Sequence, residues 1–199
     1  MKRAKGSSVL FGIGAVLIAA AVAAVVGIQA AQRQSAQRAA QIAAELAALM
    51  PTVQDDEPDG RTDVTMPVVE ADGADYIGLL ELPAHGITLP VRALWRQTDT
   101  MRSPCRYDGS MYDGSLILGG SVRPGQLDCM DEISVGDRVC MTDMDGTRYT
   151  YFVAAAEKTR DVSAAALGAL DCDLVIFARN TFALDYTVVR AVLRSKTEL

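Results

Sequence analysis

The sequence predicts a mainly β protein, a closed antiparallel β-barrel with one or two short helices, standing behind an N-terminal transmembrane helix. Three observations carry that expectation. An uncharged apolar run, VLFGIGAVLIAAAVAAVVGI, fills residues 9–28. An acidic, proline-containing stretch follows a helix-forming one, and beyond it short apolar runs alternate with Gly, Pro and Asp turn signals. At 199 residues, the chain has room for one folded domain plus such extras.

Residues 1–8 form a basic tail with Lys2, Arg3 and Lys5. The run at 9–28 is long enough, at 1.5 Å per helical residue, to cover about 30 Å, the hydrocarbon thickness of a bilayer. The positive-inside bias keeps the basic tail in the cytoplasm and sends the rest of the chain outside. A cleaved signal peptide competes with this reading, but its apolar region is shorter and ends in an A-x-A-like site. Here Ile28-Gln29-Ala30 places a large residue where a small one is wanted. The expectation is therefore a single-pass anchor whose partner is the lipid bilayer.

Residues 29–50 are rich in Ala, Gln and Arg without Pro or Gly, so the helix continues past the membrane. Ile42, Leu46 and Leu49 make an apolar stripe too short for a coiled coil. Pro51 stops it. Residues 51–75 hold eight acidic residues, one Arg, three Pro and two Gly, a composition that reads as a flexible acidic linker.

The barrel is expected at 76–194, with a tail at 195–199. Candidate strands fall at 76–82, 87–91, 116–119, 138–142, 147–155, 174–178 and 186–193, and a helical piece at 163–170. Asp145-Gly146 predicts a two-residue hairpin turn, since both residues tolerate positive φ. Asp143-x-Asp145-Gly146 lacks the downstream glutamate of a calcium loop and reads as a turn. The tandem Tyr107-Asp108-Gly109-Ser110 and Tyr112-Asp113-Gly114-Ser115 reads as two consecutive turns.

Composition excludes several functions. Lys and Arg total 19 against 25 acidic residues, a net charge of −6, and no basic run occurs after the first five residues, which argues against nucleic-acid binding. His85 is the one histidine, so no multi-histidine metal site can form. It lies in a turn, Pro83-Ala84-His85-Gly86, expected to be solvated. Cys105, Cys129, Cys140 and Cys172 contain no C-x-x-C pair, and no cofactor is implied. Outside the cell Cys129 with Cys140, or Cys105 with Cys172, are permitted disulfides, and the sequence does not choose between these and free thiols.

The run Tyr76-Ile77-Gly78-Leu79-Leu80-Glu81-Leu82-Pro83, followed by Gly86-Ile87-Thr88-Leu89-Pro90-Val91, resembles the entry strands of sortases of class B and D type. Sortases are the membrane-anchored cysteine transpeptidases of Gram-positive bacteria. Ser103-Pro104-Cys105-Arg106-Tyr107-x-Gly109-Ser110, and Gly136-Asp137-Arg138-Val139 through Thr142-Asp143-Met144-Asp145-Gly146, are similar to segments of a clostridial-type branch. The resemblance spans residues 76–193 and implies a sortase-like barrel at the cell surface, with sorting-signal peptides of cell-wall proteins or another surface protein as partners.

The family's chemistry uses a histidine after one strand, a cysteine ending a later strand, and an arginine opening the next. The thiolate attacks a threonyl carbonyl of the sorting signal, and an amine resolves the thioester. By resemblance, Ser121 after Leu116-Ile117-Leu118-Gly119-Gly120 takes the histidine position. Arg179 after Leu174-Val175-Ile176-Phe177-Ala178 takes the cysteine position, and Tyr186 the arginine position. An arginine offers no lone pair as a nucleophile, and no catalytic residue is assigned. Two function classes follow: a pseudo-sortase that binds or scaffolds, and a transpeptidase or hydrolase using non-standard residues, one of the four cysteines among them. As a permanent cation, Arg179 either attracts a carboxylate-bearing ligand or pairs with Asp173 or Asp185.

Overall fold

Alternation of apolar residues commits most of the chain beyond residue 65 to strands, each pointing successive side chains to opposite faces of a sheet. The computed structural model describes residues 5–50, 65–168, 171–180 and 185–198. Among these, helix α1 (Lys5–Leu49) precedes β1 (Val69–Ala71), β2 (Ala74–Leu82), β3 (Ile87–Arg92), β4 (Cys105–Asp108), β5 (Leu116–Ser121), β6 (Arg138–Asp143) and β7 (Thr147–Thr159). Helix α2 (Ala164–Leu167), β8 (Leu174–Arg179) and β9 (Tyr186–Glu198) complete the order. All the strands share one sheet, β1-β2-β3-β4-β5-β8-β9-β7-β6, and β2 pairs with β6 as well as with β3, so the pairings return to β2. The architecture is mainly β with short helices. It is not wholly antiparallel, because β5 and β8 run parallel, as do β3 and β4.

One sheet face carries the main core, built from Leu80, Leu82, Val91, Leu116, Leu118, Met141, Tyr149, Tyr151, Ile176 and Val189. The intervening residues Ile117, Val175, Phe177 and Val188 face the other way and pack under Leu167, Val162 and Trp95. Arg190 shares that second face. It is buried, paired with Glu157 at 2.9 Å and donating to the Ala166 carbonyl at 3.0 Å, so it fastens the α2 segment to the sheet.

The chain divides into two compact units, residues 1–35 and 36–199. In the first, Leu17, Ile18, Val22, Val25 and Val26 of α1 are each more than half exposed. Among the described residues no helix is long and apolar enough to cross a membrane. Residues 1–4 of the basic tail, and the side chains of residues 5–16 and 28, lie outside the described residues.

In the second unit the last turns of α1 are part of the domain. Ala39 joins the main core, and Ala43 and Leu46 pack with Ala71, Tyr76, Leu79 and Met144. Ile42 and Leu46 of the short apolar stripe thus cover Tyr76 and Leu79 of β2, while Leu49 stays exposed. The linker expectation changes as well. Residues 51–64 lie outside the described residues, but Met66 is buried and residues 65–75 carry β1 and the start of β2. The acidic side chains there, Glu70, Asp72 and Asp75, are exposed, so composition hid a paired strand.

Three other expectations shift. Strand β4 was not foreseen, and β7 and β9 extend to Thr159 and Glu198, taking in residues 195–198 of the expected tail, because they pair with each other along their whole length. The expected helical piece shortens to Ala164–Leu167, with the Ser163 hydroxyl accepting from the Ala166 amide at 3.3 Å; residues 169–170 lie outside the described residues. The β6–β7 connection is a four-residue turn closed by the Gly146 amide donating to the Asp143 carbonyl at 3.2 Å, with Gly146 at φ 86°. The buried Asp143 carboxylate accepts the Asp145 and Thr147 amides and the Tyr112 hydroxyl, which makes it the organiser of the turn.

Candidate functional site

Three adjacent strands end at one level. The parallel ladder of β5 and β8 sets Ser121 opposite Arg179, and the antiparallel ladder of β8 and β9 sets Arg179 opposite Tyr186. The three residues singled out in the sequence therefore form a single cross-strand row, although they lie far apart in the chain. Cross-strand neighbours stand about 5 Å apart, within reach of one ligand.

Ser121 is half-buried, and its Oγ lies 3.2 Å from the Thr100 Oγ1. Thr100 donates its own proton to the Gln97 carbonyl at 2.8 Å. That leaves Ser121 as the donor between the two hydroxyls, so its proton goes to a neutral oxygen and not to a base. His85 does not serve it. The imidazole sits in a short 3-10 turn, Pro83–His85, with Nδ1 3.8 Å from the Glu132 carboxylate. The side chain is 19% exposed and its Nε2 is buried with no partner, so the expected solvated loop residue is in fact tucked against the 127–134 segment.

Arg179 is exposed. It forms no ion pair among the described residues, and Asp173 and Asp185, the two carboxylates considered as its partner, accept their hydrogen bonds from neutral amides instead. Asp173 accepts the Leu193 amide at 2.7 Å, and Asp185 accepts the Asn180 side-chain amide at 2.6 Å. Tyr186 is half-buried, with its ring 6.0 Å from Phe177 at 67°. The nearest arginine along β9, Arg190, is about 13 Å from Tyr186 at 3.3 Å per residue and is consumed by Glu157.

Below the row lies an aromatic group. Trp95 packs edge-on against Tyr107 at 5.0 Å and tilted against Phe177 at 5.6 Å. A glycine beneath it is required: a β-carbon on Gly119 would lie 2.2 Å from the indole. Behind the row, the Thr187 hydroxyl donates to Asp131 at 2.7 Å, and Asp131 pairs with Lys158 at 2.9 Å. Those two bonds to Asp131 hold its carboxyl below the ordinary range.

All four cysteines are free. Cys105 lies on β4 opposite Gly119, two residues before Ser121. It is fully buried, and burial pushes its thiol up to about 11; burial does the same for Cys129 and raises Cys172. Such thiols carry little thiolate at neutral pH. Cys140 is buried 3.9 Å from the Thr150 hydroxyl. Among the described residues no group of three or more His, Cys, Asp or Glu side chains is placed to hold a metal ion.

What the sequence did not reveal is Thr100, which holds Ser121, and the placement of Arg96, Arg102 and Arg123 on the connections that carry Thr100 and follow Ser121. Their spacing along the chain follows no pattern, because they come from two separate connections.

No protein-family model and no curated protein matches the chain. Solved structures do. Sortase A of Listeria monocytogenes superposes with a TM-score of 0.54 at 15% identity, covering 62% of this chain and 90% of that one. Sortase C-3 of Streptococcus pneumoniae gives 0.52 at 14% identity, over 84% and 83% of the two chains. The sortase D5 transpeptidase of Clostridium perfringens gives 0.51 at 15%, over 60% and 79%. The protein has a sortase-like fold.

Proposed function

We propose that this chain is a membrane-anchored, surface-exposed member of the sortase family, related to its class B and D, clostridial-type branch, that has lost transpeptidase chemistry and binds or scaffolds at the cell envelope. On this reading the ring of strand pairings is a closed barrel, and Ser121, Arg179 and Tyr186 occupy the positions of the family's histidine, cysteine and arginine. The observation that carries it is the cross-strand row itself, three residues at one level with neither thiol nor imidazole among them. The hydroxyl of Ser121 is bound to another hydroxyl, and the Cys105 thiol, on the strand beside β5, is buried with its pKa raised. Three separate losses leave nothing to form an acyl intermediate.

The anchor reading is supported by the uncharged run at 9–28, by its basic flank and by the exposure of the apolar side chains described in it. Incubation of the purified protein with a sorting-signal peptide, read by intact mass, is expected to give no covalent adduct and no cleaved peptide. An adduct that a thiol-alkylating reagent abolishes would refute the inactive reading. Protease added to intact protoplasts is expected to digest the domain; a protected domain would refute the orientation.

A further inference from the structure

The net charge of −6 conceals a cationic face. Arg96, Arg102, Arg123 and Arg179 are all exposed, and none forms an ion pair among the described residues. Hydrogen bonds tie the backbones of all four to the Ser121 row. The Arg96 carbonyl accepts the Thr100 amide at 3.3 Å, and Thr100 holds Ser121. The Arg102 carbonyl accepts the Gln126 side-chain amide at 2.6 Å, while the Gln126 amide is bonded to the Arg123 carbonyl at 2.9 Å. Arg179 closes the set through its carbonyl, which accepts the Val122 amide at 3.0 Å.

Among the described residues, the carboxylates on these elements have partners of their own, cations for Asp99 and Asp131 and neutral amides for Asp128 and Asp185. Asp99 pairs with Arg92 at 2.8 Å, Asp128 accepts the Gly125 amide at 3.1 Å, and Asp185 accepts from Asn180. Four exposed guanidinium groups without an ion-pair partner, on elements whose backbones meet at the row, outnumber the carboxylates there that hold only neutral donors, and this excess favours anions. Apolar surface is interleaved with them: Leu94 and Met101 are 60% and 50% exposed beside Arg96 and Arg102, and Trp95 and Tyr186 are half-buried.

We infer that this face is a receptor for a peptide segment in which acidic and apolar side chains alternate, its carboxylates taken by Arg96, Arg102, Arg123 and Arg179 and its apolar side chains by Leu94, Trp95 and Met101. The inference deepens the non-catalytic reading of the row and rests on it. A polyphosphate or a lipid headgroup uses only the cations and leaves the apolar positions idle. An acidic peptide uses both, and guanidinium groups bind carboxylates through paired hydrogen bonds.

Trp95, the single tryptophan of the chain, lies inside the face and reports on its occupancy. The full chain in neutral detergent is titrated with acetyl-Ala-Asp-Leu-Glu-Phe-Asp-Gly-amide, with its Asn and Gln isostere, with polyphosphate and with anionic lipid vesicles. The acidic peptide is expected to bind, to shift the Trp95 emission and to weaken with added salt. The isostere, and the double variant Arg96→Ala with Arg179→Ala, should each lower its affinity by about tenfold or more, whereas Arg138→Ala, on the outer edge of β6, should leave it unchanged. Equal binding of peptide and isostere, equal binding to wild type and double variant, or no peptide binding at low salt would each overturn the inference. So would polyphosphate or vesicles that outcompete the peptide on a per-charge basis. Intact mass taken on the same samples separates the two readings: a covalent adduct overturns the inactive row and leaves the cationic face standing, and absence of both adduct and binding does the reverse.

Discussion

Leu46→Ala tests whether the end of α1 belongs to the folded domain. The Leu46 side chain is fully buried, against Tyr76 and Leu79 of β2, Met144 of the β6–β7 turn and Ala71 of β1. Removing it forfeits the transfer of its methyl groups from water and leaves a hole that rigid strands fill poorly, a combined loss of about 2–5 kcal/mol. In a protein of this size each kcal/mol moves the midpoint by about 2–4 °C, so a fall of roughly 4–20 °C is expected. Leu49→Ala is the matched control, because Leu49 stands one turn further along the same helix and is 54% exposed; its effect should stay within about 0.5 kcal/mol. Urea and thermal unfolding followed through Trp95, which is remote from the substitution in the contact clusters, give both values. Equal, small effects of the two substitutions would refute the docking of the helix and restore a free juxtamembrane rod.

Other expectations concern charge and reactivity. Burial raises the Asp143 carboxyl above its ordinary value, so its favourable contribution is complete below the unfolded pKa and is lost as pH rises through the raised folded one. Asp143→Asn should therefore compare better with wild type at neutral pH than near pH 3, as read by urea unfolding at both; a pH-independent difference would contradict this. Arg190→Met leaves the Ala166 carbonyl and the half-exposed Glu157 without their donor, and is expected to cost about 1–3 kcal/mol and to speed proteolysis near α2. Alkylation at pH 8, counted by mass, should find all four thiols slow in the folded protein, with half-buried Cys172 reacting first and all four reacting in urea. One rapid thiol in the native state would contradict the burial seen here and reopen cysteine chemistry.

The central strands were legible because their apolar residues alternate and their ends carry Gly, Pro or Asp. β4 was not, since Pro104 precedes it, a bulge interrupts its pairing with β5, and it meets β3 at a single pair, Arg92 with Cys105. β1 was hidden by acidic neighbours that point away from the core. The role of Ile42 and Leu46 could not be read locally, because their partners on β2 come some thirty residues later and a short helical stripe does not name what it packs against. At the row, Ser121, Arg179 and Tyr186 were singled out by resemblance to a family's motif order, and the ladders set them side by side. Whether Arg179 was neutralised could not be read that way, because Asp185 is close in sequence yet its carboxylate is claimed by Asn180. Ion pairing is decided by side-chain geometry, which spacing along a chain does not encode.

The parallel pairing of β5 with β8 also fixes when the cationic face comes into existence. Ser121 and Arg179 are about sixty residues apart, and loop-closure entropy opposes such a contact until the intervening β6–β7 hairpin, which closes through a four-residue turn, has shortened the path. Local hairpins form in microseconds, whereas a long crossover to a parallel partner waits on them. The row, and with it the ability to hold an acidic segment, is then acquired at the last stage of folding. During refolding from urea, strand signal in the far ultraviolet should recover ahead of peptide-dependent Trp95 emission.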